Sequence, residues 1–141
     1  MSILNINKPP GQNLAAVDKG KKQKLGKFAE KVAENYLKGE GFKILEKNFR
    51  KPWGEIDIIA KIGDALVFVE VKANSQEFRS EDFSPETRVD EKKIIKIIKT
   101  AKTYMGDRDV SWRVDIVSIT FIKSENKAKI THFKNVAEDL R

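Results

Sequence analysis

The 141-residue sequence contains no cysteine and a single histidine, His132. The absence of cysteine excludes disulfide bonds, a thiolate zinc site and a cysteine nucleophile. One histidine without a second histidine or a cysteine forms no metal constellation, so we interpret His132 as a structural residue. Long apolar runs, a signal-peptide core, a Gly-rich phosphate loop and a GxSxG nucleophile elbow are also absent from the sequence. These absences favour a cytoplasmic protein.

Acidic residues are outnumbered by basic ones, 21 to 28, which gives a formal net charge of +7. A basic protein favours a polyanionic partner, either nucleic acid or an anionic membrane surface. Hydrophobic residues make up 40% of the chain, and this length is enough for one domain with a proper core.

The chain divides into two parts by composition. Residues 1–21 contain Pro9-Pro10-Gly11 followed by several lysines, which predicts a flexible basic arm. Residues 22–141 are predicted to form the folded domain. Within it, Asn74–Val89 is predicted to be a polar, net acidic loop that either covers a site or is disordered.

Two amphipathic helices are predicted from apolar residues at three- and four-residue spacing. The first begins near Leu25 and ends at Gly39, with Glu30 on the flank of its apolar stripe and Glu34 towards solvent. The second runs from an N-cap at Asp90 to a C-terminal Gly106.

Three lysines lie within about 60° of one another on the face of the second helix opposite its core stripe: Lys92, Lys96 and Lys99. A lysine face of this kind is either solvated surface or a phosphate-contacting ridge. In this basic chain it is the best candidate for a nucleic-acid contact.

The stretch Gly54–Asn74 is predicted to form a β-hairpin. Two apolar runs, Ile56–Ala60 and Ala65–Ala73, are joined by Gly63-Asp64, where glycine supplies the positive φ that such turns need. Three charged residues interrupt these runs: Asp57, Glu70 and Lys72.

Strand alternation places Glu70 and Lys72 on one face of the second strand, opposite an apolar face. Burying an unpaired charge is costly, so charged groups at the centre of a hairpin need an explanation beyond folding. Two interpretations remain open. Asp57 and Glu70 form a site for a hard cation such as Mg²⁺, which prefers oxygen ligands, or Glu70 and Lys72 form a surface pair on a solvated face.

The predicted order is helix, strand, hairpin, helix, strand, strand, and it resembles the PD-(D/E)xK nuclease superfamily with its restriction-endonuclease-like fold. A closer resemblance is to the YraN-like uncharacterised family, and it covers roughly residues 25 to 136, most of the chain. Its marks are Ala29-Glu30-x-x-Ala33-x-x-Tyr36-Leu37, Gly54-Glu55-Ile56-Asp57-Ile58-Ile59-Ala60, Val67-Phe68-Val69-Glu70-Val71-Lys72, Lys93 to Tyr104 and Val114-Asp115-Ile116-Val117.

This resemblance implies a single α/β domain with a mixed central β-sheet flanked by helices, in αβββαββ order. It also implies metal-dependent phosphodiester hydrolysis with Mg²⁺ or Mn²⁺ as cofactor. Asp57 and Glu70 are the implied metal ligands, Lys72 orients the attacking water, and Glu30 is an auxiliary acid. Family members often have Thr-Arg after this lysine, whereas this chain has Ala73-Asn74.

Three hypotheses about function follow. The first is a metal-dependent endonuclease that acts on DNA, including branched or structured DNA, and that pairs as a homodimer. The second is a non-catalytic nucleic-acid-binding or scaffold module on the same fold. The third is an interaction protein whose basic surface serves only solubility.

Overall fold

The computed structural model describes residues 2–5, 19–76 and 91–141, which form one six-stranded mixed sheet with a helix on each face. The strands lie in the order β1-β6-β5-β4-β3-β2. The element bounds are β1 Ser2–Asn5, α1 Lys19–Gly39, β2 Lys43–Lys51, β3 Gly54–Ile62, β4 Ala65–Gln76, α2 Glu91–Met105, β5 Ser111–Ile122 and β6 Lys127–Phe133. The predicted α/β domain with a mixed central sheet is therefore confirmed, and its order is consistent with a restriction-endonuclease-like fold.

Two hydrophobic clusters hold the helices against the sheet. On one face, Ala29, Ala33 and Leu37 of α1 pack among residues that include Val67 and Val69 of β4. On the other face, α2 packs against the side chains of Leu66 and Phe68, which belong to the same strand, and of Ile56 and Ile59 on β3. Because successive side chains of a strand point to opposite faces, β4 contributes to both clusters.

The N-terminal segment departs from the predicted arm over residues 1–21. Ser2–Asn5 pairs antiparallel with β6, from Ser2 opposite Ile130 to Asn5 opposite Lys127, and α1 begins at Lys19. Strand β6 would otherwise end the sheet on this side, and β1 supplies backbone partners to its outer edge. Residues 6–18 lie outside the described residues.

The second helix ends as predicted, with the Gly106 N–H donating to the Lys102 carbonyl at 3.0 Å. Helix α2 begins at Glu91. The predicted N-cap, Asp90, and most of the predicted loop Asn74–Val89 lie outside the described residues. Asn74–Gln76 is the last part of β4.

The predicted hairpin is formed by β3 and β4, and Gly63 in its turn has φ 56°. The β3–β4 pairing extends only from Ile62 opposite Ala65 to Ile58 opposite Val69. In contrast, β4 pairs in parallel with β5 along its whole length, as far as Gln76 opposite Ile122. The two hairpin strands therefore stop pairing at the level of Asp57 and Glu70.

The start of β3 lies very close to α2. A Cβ atom added to Gly54 would lie 2.5 Å from Thr100 Oγ1 and 3.3 Å from the Lys96 carbonyl oxygen. Thr100 is fully buried and its hydroxyl donates to that carbonyl at 2.8 Å, so it has little freedom to move. A residue without a side chain is needed here for steric reasons.

Candidate active site

Asp57 lies where the regular pleat of β3 is interrupted. Ile56 belongs to the cluster on the α2 side, whereas Ile58 belongs to the cluster on the α1 side. Regular alternation would place both on one face, so the strand is irregular at Asp57. The carboxylate turns towards β4, where Asp57 Oδ2 accepts a hydrogen bond from the Val71 N–H at 2.8 Å.

Glu70 lies on the α2 face of β4, in line with Leu66 and Phe68, and only 7% of it is exposed. Its Oε1 atom lies 2.7 Å from the Lys93 Nζ of helix α2. The solvated-face interpretation is therefore wrong for Glu70. Burial on both faces explains why: α2 covers this side of the strand, and α1 covers the other.

The two carboxylates lie close enough to perturb each other. Burial and then the negative charge of Glu70 raise the pKa of Asp57 from 3.8 to about 7, although the hydrogen bond from Val71 and the Lys93 charge oppose this. Partial burial tends to lower the pKa of Lys93. The hydrogen bond to Glu70, with the charges of Glu70, Asp57 and Glu55, outweighs burial and raises it. Three acids, Glu70, Asp57 and Glu55, therefore act on this one ammonium.

Glu30 of α1 approaches this pair from the opposite face of the sheet. Its half-burial, and then the charge of Asp57, raise the pKa of Glu30, while a hydrogen bond with Asn48 lowers it. Asn48 has φ 54° and lies between Lys47, which pairs with Ile58, and Phe49. Strands β2 and β3 are thus both irregular at the level of Asp57.

Lys72 follows Glu70 on the same face and is half-buried. It lies in register with Ser118 of β5, and among the described residues the Ser118 Oγ atom has no hydrogen-bond partner although it is buried. The structure thus brings Asp57 and Glu70 together with Glu30 nearby, and places Lys72 one step further along the strand.

The three predicted ridge lysines have different neighbours. Lys92 and Lys96 line a groove of about 440 Å³ together with Gly54, Glu55, Lys93 and Ile97. The Lys99 ammonium lies 5.5 Å from the centre of the Trp53 ring, in the geometry of a cation–π contact. Only the first two lysines lie beside the candidate site.

A divalent cation fits this arrangement in a limited way. Among residues 2–5, 19–76 and 91–141, no three Asp, Glu, His or Cys side chains form a metal-binding group. Mg²⁺ is commonly bound by one or two carboxylates that leave several coordination positions to water. Asp57 and Glu70 supply two such groups, and burial and the charge of Glu70 disfavour the ionised form of Asp57, which a nearby cation would favour. The donor set therefore suits an oxygen-preferring cation with Asp57 and Glu70 as its protein carboxylates.

Sequence reasoning missed Lys93, which forms the ion pair with Glu70. A signal was available, because 100° per residue places Lys93 about 40° from the buried Ile97, on the flank of the core stripe of α2.

Glu34 is the second residue whose place differs from the prediction. It is only 5% exposed and lies 3.3 to 3.4 Å from the ammonium groups of Lys31, Lys38 and Lys47. Burial tends to raise its pKa, but the hydrogen bonds and charges of these lysines lower it. Helical periodicity predicts a solvent position because it takes no account of Lys47, which reaches the helix from β2.

A buried polar network lies at the other end of α1, and its centre is Asp115 of β5. The fully buried Asp115 carboxylate accepts two hydrogen bonds from Arg113, one from His132 Nε2 at 2.8 Å and one from the Asn135 N–H at 2.9 Å. Tyr36 Oη lies 3.0 Å from His132 Nδ1. Burial tends to raise the pKa of Asp115, but these hydrogen bonds lower it.

The sequence also matches known proteins. Residues 29–119 match the model of the uncharacterised protein family UPF0102. The chain belongs to this family. A UPF0102 protein of Fervidobacterium nodosum is 40% identical over 119 residues, which cover 83% of this chain and 84% of that protein. A UPF0102 protein of Campylobacter fetus is 46% identical over 107 residues, covering 74% of this chain and 88% of that protein. One from Persephonella marina is 42% identical over 114 residues, with 78% and 90% covered.

The UPF0102 match contains the whole candidate site. It begins at Ala29, next to Glu30, and ends at Ile119, just past the Lys72–Ser118 pair. It leaves out β1 and His132 of β6. In the part of the chain that the structure describes, no helix is both long and apolar enough to cross a membrane.

Proposed function

We propose that this protein is a Mg²⁺- or Mn²⁺-dependent endonuclease of the PD-(D/E)xK superfamily, and that it hydrolyses phosphodiester bonds in DNA, including branched or structured DNA. The observation that carries the proposal is the convergence of two half-buried to buried carboxylates, Asp57 and Glu70, beside a groove lined by lysines. The two carboxylates repel each other, so the pair suits a bound cation, and the lysines of the groove suit a polyanion.

Each group has a distinct role in this proposal. Asp57 and Glu70 hold the divalent cation, which when bound polarises a phosphate oxygen and acidifies a water molecule. Lys72 orients that water and stabilises the negative charge that develops on the phosphate. Lys92 and Lys96 hold the nucleic-acid backbone in the groove through phosphate contacts, which position the substrate without reading its sequence.

The test is cleavage of branched, duplex and single-stranded DNA by the purified protein with Mg²⁺, with Mn²⁺ or with a chelator. We expect cleavage only with the metal ions. Glu70→Gln should abolish it, and Lys72→Ala should reduce it by about 10²- to 10³-fold, the usual effect of removing one group that stabilises transition-state charge. Glu46→Gln is the matched control, because Glu46 is an exposed acid on β2. Cleavage that survives Glu70→Gln, or that is absent from every substrate with either metal, contradicts the proposal.

One observation favours a second function, a nucleic-acid-binding module without catalysis. The Lys93 ammonium already supplies Glu70 with a counter-charge at 2.7 Å, so the fold does not need a metal ion to neutralise this acid. A module of this kind binds DNA with a steep salt dependence and without turnover. Each of Lys92→Ala and Lys96→Ala should then make the negative slope of log K against log salt less steep by about 1. A chelator should not change this slope.

A further inference from the structure

Lys93 occupies an unusual position for a lysine on a surface helix. Its side chain is 56% exposed, yet its ammonium reaches a carboxylate oxygen of the buried Glu70. Asp57 and Glu55 add further negative charge around the same ammonium. One flexible cation therefore faces three acids, and two of these are the carboxylates assigned above to the metal.

The Lys93 ammonium and a divalent cation would compete for the same acid. Lys93 holds Glu70 Oε1, and the hydrogen bond between a charged donor and a charged acceptor is among the stronger ones in proteins. A cation bound by Glu70 and Asp57 brings twice the charge of an ammonium. The exposed stem of Lys93 gives it room to move away, since the same residue lines the groove beside Lys92 and Lys96.

We propose that Lys93 is an exchangeable counter-ion: its ammonium neutralises Glu70 in the metal-free protein, and on metal binding it moves into the groove, where it contacts the phosphate backbone. This inference rests on the proposed function. It assigns Lys93 as a positioning residue that couples metal binding to nucleic-acid binding. It also explains how an ion pair and a metal site share one glutamate.

The first measurement is calorimetric titration with Mn²⁺ in the absence of nucleic acid. Lys93→Met removes the competing ammonium and keeps the length of the stem, so we expect Mn²⁺ to bind about tenfold more tightly, as the loss of one charged hydrogen bond implies. Lys92→Met is the matched control, because it removes the same charge from the adjacent position of α2. It should change the affinity less than about twofold, the change left for a general loss of charge on an exposed helix face.

Lys93→Arg keeps the positive charge and is expected to leave the Mn²⁺ affinity equal to or below that of the unaltered protein. This variant also keeps the proposal testable if Lys93→Met does not fold. Equal gains in Lys93→Met and Lys92→Met would overturn the exchange, and so would tighter Mn²⁺ binding by Lys93→Arg.

The second measurement is DNA binding with Ca²⁺, which occupies oxygen sites, or with a chelator. Lys93→Met should weaken DNA binding by severalfold with Ca²⁺ and have no effect in the chelator, because only the metal-bound protein releases Lys93 to the phosphates. An equal loss under both conditions contradicts the exchange.

The two proposals fail in different ways. If the unaltered protein binds Mn²⁺ and cleaves DNA but Lys93→Met leaves the Mn²⁺ affinity unchanged, the exchange is wrong and the nuclease stands. If no variant binds Mn²⁺ and none cleaves DNA, both are wrong.

Discussion

Replacing Asp57 with asparagine should stabilise the metal-free protein at neutral and alkaline pH. Burial in the folded protein, and then the negative charges of Glu70 and Glu55, raise the pKa of this carboxyl group to about 7. An asparagine at the same position carries no charge, and its carbonyl oxygen can still accept the hydrogen bond from Val71. The substitution therefore removes the repulsion and keeps the contact.

The size of the effect follows from proton linkage. Between pH 3.8 and about 7 the folded protein keeps a proton on Asp57 that the unfolded chain has lost. Because the pKa of Asp57 is higher in the folded protein, the stability that its proton provides is fully present below the unfolded pKa. It is lost as the pH rises through the folded pKa. A difference of about 3 pH units corresponds to about 4 kcal/mol in the free energy of unfolding. Asp57→Asn should therefore match the unaltered protein near pH 4 and exceed it by up to about 4 kcal/mol at pH 8.

The assay is urea unfolding at several pH values in the presence of a chelator, with the free energy taken by linear extrapolation. The difference between variant and unaltered protein reports Asp57 together with the effect of its charge on Glu30 and Lys93, because the more distant titrating groups are common to both. Asp64→Asn is the control, since it removes the same charge from an exposed position in the hairpin turn and should change the free energy of unfolding far less than Asp57→Asn. A flat difference for Asp57→Asn between pH 4 and pH 8 would refute the assigned electrostatics. The same variant should lose Mn²⁺ binding. This result would show that Asp57 lowers the stability of the metal-free protein but is needed to bind the metal.

Two other substitutions test packing and the buried network. Gly54→Ala should destabilise the protein by about 1–3 kcal/mol through overpacking, as measured by urea unfolding. Adding Thr100→Ala should restore part of the loss, because it removes the hydroxyl oxygen that would lie 2.5 Å from the new Cβ atom. If the effects of the two changes simply add, the contact is contradicted. Asp115→Ala should destabilise by about 3–5 kcal/mol, because it leaves Arg113 and His132 around a lost charge. The pKa of Asp115 is lowered in the folded protein, so its contribution to the free energy of unfolding is present above the unfolded pKa and disappears as the pH falls through the folded value. An unchanged melting temperature of the Asp115→Ala variant at pH 7 would contradict this.

The sequence predicts the sheet elements well because their signals are local. Alternation and turn chemistry predict the hairpin around Gly63, and the predicted runs Ile56–Ala60 and Ala65–Ala73 lie within the observed strands Gly54–Ile62 and Ala65–Gln76. Asp57 and Glu70 could be identified as neighbours from the same hairpin register.

Features that depend on two elements at once could not be predicted in the same way. The pairing of β2 with β3 shifts between Ile44 and Glu46, and Leu45 at this irregularity is 40% exposed. Glu34 is buried, and one of its three lysine partners, Lys47, comes from another element. Periodicity predicts burial from one helix or strand alone, whereas the burial of these side chains depends on contacts with other elements of the chain.

The early end of the β3–β4 ladder has a consequence for ionic selectivity. Backbone pairing between these strands stops at Ile58 and Val69, so the spacing of the two acids beyond this point is not fixed by the sheet repeat. One acid is carried by β4, which pairs with β5 along its length, and the other by a segment of β3 whose remaining backbone partner is β2. In the proposed metal site, the distance between the two carboxylates can therefore change with the radius of the bound ion without breaking a backbone hydrogen bond between β3 and β4.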